Sequence, residues 1–320
     1  GHFDGAGHSV WNFNSHINNA SGFIGRLGDG AVVENLTIAS GSIGGSYNTS
    51  MGGIAGVIVS TATATIRNCH NYAELTGTFG IGGILGAVED GAHAVIENCS
   101  NHGKITASYQ GGGIIGAVGP NRWKNNGASA SVTNCYNTAE IGGIGSWGTG
   151  GIIGSQRVCG TGVATELRNC YNTGKISGLS AGAVIGSVCE SDVRFDNVYY
   201  LDSSCSRVSG DFNDDGDDTP GTITGDAISK TESEMKDEAF VSALKEAFAS
   251  DYENINGGYP IISGQKAIGE EAPVRAGLEI GTAEELEEFA KAVNSGNSFK
   301  GKTVALTSNI DLSDYSNWTP

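Results

Sequence analysis

Charge is scarce in this chain: 17% of its 320 residues are charged, with a net charge of −17. Acidic residues outnumber basic ones 12 to 9 up to position 200 and 23 to 9 beyond it. Duplex nucleic acid and anionic membrane surfaces are therefore poor partners. There is no run of 18 apolar residues, so no membrane-inserted helix is expected, and no secretory leader opens the sequence. Methionine and proline are rare, at 2 and 5 residues. No Cys-x-x-Cys pair exists among the 7 cysteines, which argues against zinc, and their odd number leaves no complete disulfide framework. His-Glu-x-x-His is absent, and all 6 histidines lie before residue 103, so no metalloprotease or serine-protease set is marked.

Glycine is abundant instead, at 51 residues, and it falls in a repeated phrase. Gly22-Phe23-Ile24-Gly25, Gly53-Ile54-Ala55-Gly56, Gly83-Ile84-Leu85-Gly86, Gly113-Ile114-Ile115-Gly116 and Gly151-Ile152-Ile153-Gly154 are followed by a weaker Ala183-Val184-Ile185-Gly186. After each comes apolar-x-Asn-Cys or a variant, with the asparagine at Asn35, Asn68, Asn98, Asn134, Asn169 and Asn197. A unit of about 30 residues is the signature of a solenoid. Each unit holds three short strand-like runs, such as Gly83–Val88, Ala94–Cys99 and Gly103–Thr106. Helical and leucine-rich repeats do not fit this pattern. The expected fold is all-β, a right-handed parallel β-helix with three short strands per turn, a short C-terminal capping helix and the start of a second module.

In such a stack Asn68, Asn98, Asn134 and Asn169 form an asparagine ladder at a corner. Cys69, Cys99, Cys135 and Cys170 form a cysteine ladder of buried free thiols beside it, with Cys159 and Cys189 as a candidate second stack. Free thiols suit a cell surface in a reducing setting. His70 and His102 flank these ladders and read as a surface pair.

The β-helix pattern spans residues 1–210. Residues 211–265 hold an acidic loop, a capping helix and a closing strand, 266–276 read as a linker, and 277–320 as the entry segment of a following module. In the acidic loop, Asp211, Asn213, Asp215 and Asp217 make calcium the candidate cation. Thr222 stands where a calcium loop carries a carboxylate, so a solvated acidic loop is the alternative. Thr231 and Glu234 form a capping box before the apolar face Phe240, Val241, Leu244, Ala247 and Phe248, and Thr282 and Glu285 form another.

The segment Gly150 to Ile176, with Gly-Gly-Ile-apolar-Gly and Asn-Cys-Tyr-Asn-Thr-Gly-Lys-Ile, resembles the GLUG repeat of large bacterial surface proteins. Such repeats also occur near the immunoglobulin-A protease family. Phe3-Asp4-Gly5, Asn256–Ile261 and Leu306–Leu312 resemble the start, close and entry of such modules, although the entry normally comes first. The chain is thus expected to be a window cut across two tandem modules of a longer protein. The resemblance implies a surface role and brings no catalytic residues.

Loops that break a solenoid's period tend to bind ligands. Here they collect Arg122, Trp123, Lys124, Asn125 and Asn126, and also Trp147, where the indoles can stack on sugar rings. The expected function is a non-catalytic, extracellular or wall-associated adhesin or stalk module, with glycans or host surface proteins as partners and no cofactor unless calcium. The alternatives are a carbohydrate-active β-helix enzyme, for which Glu74, Glu97, Glu140 and Glu166 lie scattered on different turns, and a structural spacer.

Overall fold

The structure, a computed structural model, describes residues 1–17, 20–45, 50–119, 127–145, 147–157, 165–210, 220–269, 278–297, 299, 302–315 and 318. It is a parallel β-solenoid of about nine turns. Strands of successive turns pair in register, as in Thr65↔Val95 and Val95↔Ser131. One turn runs through His93–Glu97, Ser100–Asn101, Ile105–Ala107, Gly111–Gly112 and Ile115–Val118. The three expected runs are present. The additional two-residue strands, Ser100–Asn101 and Gly111–Gly112, are too short to leave an alternating pattern in the sequence.

Alternation decides which side chains enter. In His93–Glu97, Ala94 and Ile96 point inward and are fully buried, while the three residues between and around them are half-buried. Stacking in register turns such positions into ladders, and Val33, Ile66, Ile96, Val132, Leu167 and Phe195 form one. These ladders form one apolar cluster that runs along the solenoid.

Each turn bends at the Asn-Cys corner. Asn35, Asn68, Asn98, Asn134, Asn169 and Asn197 all have φ between 51° and 60°, the left-handed region that asparagine tolerates best after glycine. Their amides form a continuous chain of bonds. Asn68 Nδ2 donates to Asn35 Oδ1 (3.0 Å), Asn98 to Asn68 (3.0 Å), Asn134 to Asn98 (2.9 Å), Asn169 to Asn134 (2.8 Å) and Asn197 to Asn169 (2.7 Å). The cysteine ladder lies beside it, with Cys69, Cys99, Cys135 and Cys170 free, buried, and each 3.2 Å from the carbonyl two residues earlier. Cys159 lies outside the described residues, so no second cysteine stack can be drawn from Cys189.

The expected capping helix is split, and it lies on the flank. Helix α1 (Glu232–Met235) has its Thr231–Glu234 capping box, and α2 (Glu238–Ala243) restarts on the N-cap Asp237. Phe240, Leu244 and Phe248 pack on Tyr136, Tyr171 and Tyr199, which point outward from three successive turns. Tyr136 and Tyr171 stack with centroids 5.0 Å apart and planes within 1°. That tyrosine row supplies the apolar partner for the helical face, so the pair settles beside the solenoid rather than across its end. Asn169 and Asn197 complete the dock by donating to the Leu244 and Ala243 carbonyls at 2.7 and 2.9 Å, satisfying backbone groups at the helix end.

From the closing strand Ile261–Ile262 the chain runs back along this flank toward the first turns. Gln265 accepts from Tyr136 OH at 2.8 Å, and a Cβ added at Gly269 would lie 4.0 Å from Trp11. Residues 278–318 then meet the start of the same chain. Thr303–Leu306 pairs in parallel with His2–Asp4 and with Leu278–Ile280, and Ile310–Asp311 pairs with Ser9–Trp11. Helix α3 (Ala283–Asn294), with its Thr282–Glu285 capping box, packs Phe289 on Phe3 at 6.1 Å. The entry turns expected for a following module thus stack on the first turn of this solenoid, where Phe289 meets Phe3 and Trp318 meets Phe13 and Phe23.

Candidate functional site

Of the sequence-derived ligand residues, Trp147 is described; Arg122, Trp123, Lys124, Asn125 and Asn126 lie outside the described residues, as do Asp211, Asn213, Asp215 and Asp217. Trp147 is half-buried and belongs to a row. Phe79 and Tyr109 stack face to face at 4.6 Å and 8°, and Trp147 leans against both, at 5.2 and 5.1 Å. The guanidinium of the buried Arg157 lies 4.8 Å from the centroid of the indole ring. A cation over the face of a tryptophan is attractive, so Arg157 fixes the indole's tilt.

The row has a sequence signal that composition and loop length do not reveal. Phe79, Tyr109, Trp147 and Leu179 each stand three residues before a glycine that repeats in register, at Gly82, Gly112, Gly150 and Gly182. Those glycines are in register from turn to turn, so the four side chains share one corner. Tyr109 is 36% exposed and Leu179 73%, and Ile144, three residues before Trp147 in sequence, is 80% exposed. A partly accessible row of this kind is suited to a partner with an apolar face.

A second cluster lies on the flank. Ser100 Oγ sits between His70 Nδ1 (2.8 Å) and His102 Nε2 (3.1 Å), and His102 also meets Tyr136 OH at 3.2 Å and Thr138 Oγ1 at 3.1 Å. His102 stacks on Tyr72 at 4.2 Å rather than on His70. Burial lowers the His70 pKa to about 4 and the His102 pKa to about 3, and raises that of Tyr72 to about 12. The imidazoles are neutral hydrogen-bonding groups at neutral pH. Ser100 is fully buried, and among the described residues no carboxylate bonds either ring, so the pair lacks both the access and the orienting group of an activated nucleophile. Beside it, a cavity of about 260 Å³ lies between residues 262–268 and the outer face at Asn35, Asn68 and His70.

Several of the outer-face carboxylates are ion-paired. Glu140 pairs with Lys104 at 3.4 Å, and Glu166 pairs with Arg168 at 2.9 Å. In the row before the corner asparagines, Glu34, Arg67, Glu97, Thr133, Arg168 and Asp196 follow in register, with Arg67 to Glu34 at 2.5 Å and Arg168 to Asp196 at 3.3 Å. Hydrogen bonding to Glu34 raises the Arg67 pKa. Among the described residues no three metal-capable side chains cluster, and no helix is long and apolar enough to cross a membrane.

No protein-family model matches the sequence, and no curated protein does. A crystal structure from Bacteroides ovatus, described as a "putative immunoglobulin A1 protease", is similar in fold, with a TM-score of 0.56 and 20% identity over 81% of this chain and 76% of that one. At that identity the likeness shows the fold alone. The class is thus a repeat-built parallel β-solenoid that carries a partly exposed aromatic row.

Proposed function

We propose that this chain is a non-catalytic binding and spacing module of a secreted or surface-displayed bacterial protein, and that it takes an extended glycan along its aromatic corner. The observation that carries the reading is the row Phe79, Tyr109, Trp147 and Leu179, set on successive turns and partly open to solvent. Ring edges and faces repeated along an axis offer a sugar chain several equivalent apolar contacts without requiring one deep pocket. Stacked strands about 4.8 Å apart hold the row rigid, which lowers the ordering cost of binding. The engagement of Glu140 and Glu166 in ion pairs and the burial of Ser100 favour binding over hydrolysis.

The test is a glycan-array screen of the protein beside Tyr109→Ala and Trp147→Ala. Binding lost in both variants supports the reading. Absence of binding by the parent protein favours a pure spacer, a role the continuous ladders and the clamped Trp147 also suit. Cleavage of any arrayed glycan would favour the enzyme reading instead.

A further inference from the structure

Residues 278–318 are joined to the first turns by contacts that owe nothing to chain continuity. Thr303 Oγ1 lies 3.3 Å from His2 Nδ1 across 301 positions of sequence. Asn12 Nδ2 donates to Asp311 Oδ1 at 2.7 Å, Ser9 N donates to Asn309 Oδ1 at 2.8 Å, and Ser15 Oγ donates to the Trp318 carbonyl at 2.9 Å. Trp318 stacks on Phe23 at 6.3 Å and 4°, filling the open end of the solenoid. The segment also has order of its own. It contains a capped helix and a parallel pair, Leu278–Ile280 with Thr303–Leu306.

We infer that this segment is an exchangeable entry piece whose second seat is the first turn of another copy of the same chain, linking copies by their solenoid ends. The inference goes beyond the glycan reading and does not depend on it. Every bond named above can be made identically between two copies, because the donors and acceptors on the first turn are the same in each. Exchange of an identical element costs only the difference between intra- and intermolecular closure. A short tether gives the attached segment an effective concentration of order millimolar, so dilute chains close on themselves and concentrated ones exchange.

The experiment uses two full-length chains with one added cysteine each, His2→Cys and Thr303→Cys, at positions that face each other in register. They are mixed in denaturant, refolded at low and near-millimolar concentration, and oxidised with diamide beside the parent chain. The double variant His2→Cys, Thr303→Cys, refolded dilute, verifies that the pair forms a disulfide within one chain. Exchange predicts an inter-chain heterodimer that the parent chain does not give, and whose yield rises with concentration. The inference is overturned if the double variant closes within its own chain while the mixed single variants give no heterodimer at any concentration. It is overturned equally if the double variant fails to close, since the seat itself would then be absent.

Discussion

Asn101 occupies the space that any side chain on Gly83 would need. The same relation recurs between Asn71 and Gly53, Asn137 and Gly113, and Asn172 and Gly151. Asn101 is fully buried and cannot move aside, because its Nδ2 is bonded to Asn137 Oδ1 at 2.9 Å and to the Gly103 carbonyl at 3.0 Å. Gly83→Ala should therefore cost about 3 kcal/mol through overpacking. Gly142→Ala, whose new Cβ would meet only Ser177 Oγ at 3.7 Å, should change stability by less than about 0.5 kcal/mol. Urea unfolding of the two variants decides the point, and equal midpoints would contradict the contact.

The corner asparagines make a different demand, since they need both a left-handed backbone and an amide. Asn98 has φ 52°, donates to Asn68 and accepts from Asn134. Asn98→Ala loses two bonds, each worth about 1 kcal/mol, and keeps a Cβ in the left-handed region without the polar side chain that lets asparagine tolerate it. Asn98→Gly loses the bonds but keeps the backbone, so it should cost about 2 kcal/mol. The expected order of urea midpoints is parent, Gly, Ala; a glycine variant below alanine would sink the account.

Thiol chemistry should separate the ladder from the edge. Burial raises the pKa of the Cys69 and Cys135 thiols, and the thiolate is the reactive form. Cys205 is half-buried and lies outside the ladder. Alkylation mapped by mass spectrometry should modify Cys205 first and reach Cys69, Cys99, Cys135 and Cys170 only when urea unfolds the chain. Rapid labelling of Cys135 in the native protein would mean that the corner is open.

The repeat, the strands and both ladders at Asn68 and Cys69 were legible because a fixed period of about 30 residues writes itself into the sequence. The inner ladder Asn71, Asn101, Asn137 and Asn172, with Nδ2-to-Oδ1 bonds of 2.8 to 2.9 Å, was present in the same phrase and went unread. Its role depends on the glycines it meets across the interior, a contact that sequence spacing does not reveal. The flank position of α2 was also hidden, because Phe240 finds its partners Tyr171 and Tyr199 only once three turns are stacked. The aromatic corner was half legible. Trp147 drew attention as a loop tryptophan, whereas Phe79 and Tyr109 become its companions only when offsets are counted from the paired glycines.

His70 and His102 have folded pKa values of about 4 and about 3, against an ordinary value near 6.5, chiefly because burial disfavours the charged ring. The groups facing them are Ser100, Thr138, the Tyr72 ring, Tyr136 OH and the Cys99 thiol, none of which offers a negative charge to a protonated imidazole while Cys99 remains a thiol. Between about pH 6.5 and 4.5 the unfolded chain therefore binds more protons than the folded one, and protonation favours unfolding. The stabilisation is complete above about pH 6.5 and is lost as the pH falls toward the folded values, by up to about 1.4 kcal/mol per pH unit for each histidine. Urea midpoints measured across this window should fall with pH in the parent protein and fall less steeply in His102→Gln, which keeps a hydrogen-bonding side chain without a titrating ring. Parallel slopes for the two proteins would show that acid sensitivity arises elsewhere, among the carboxylates.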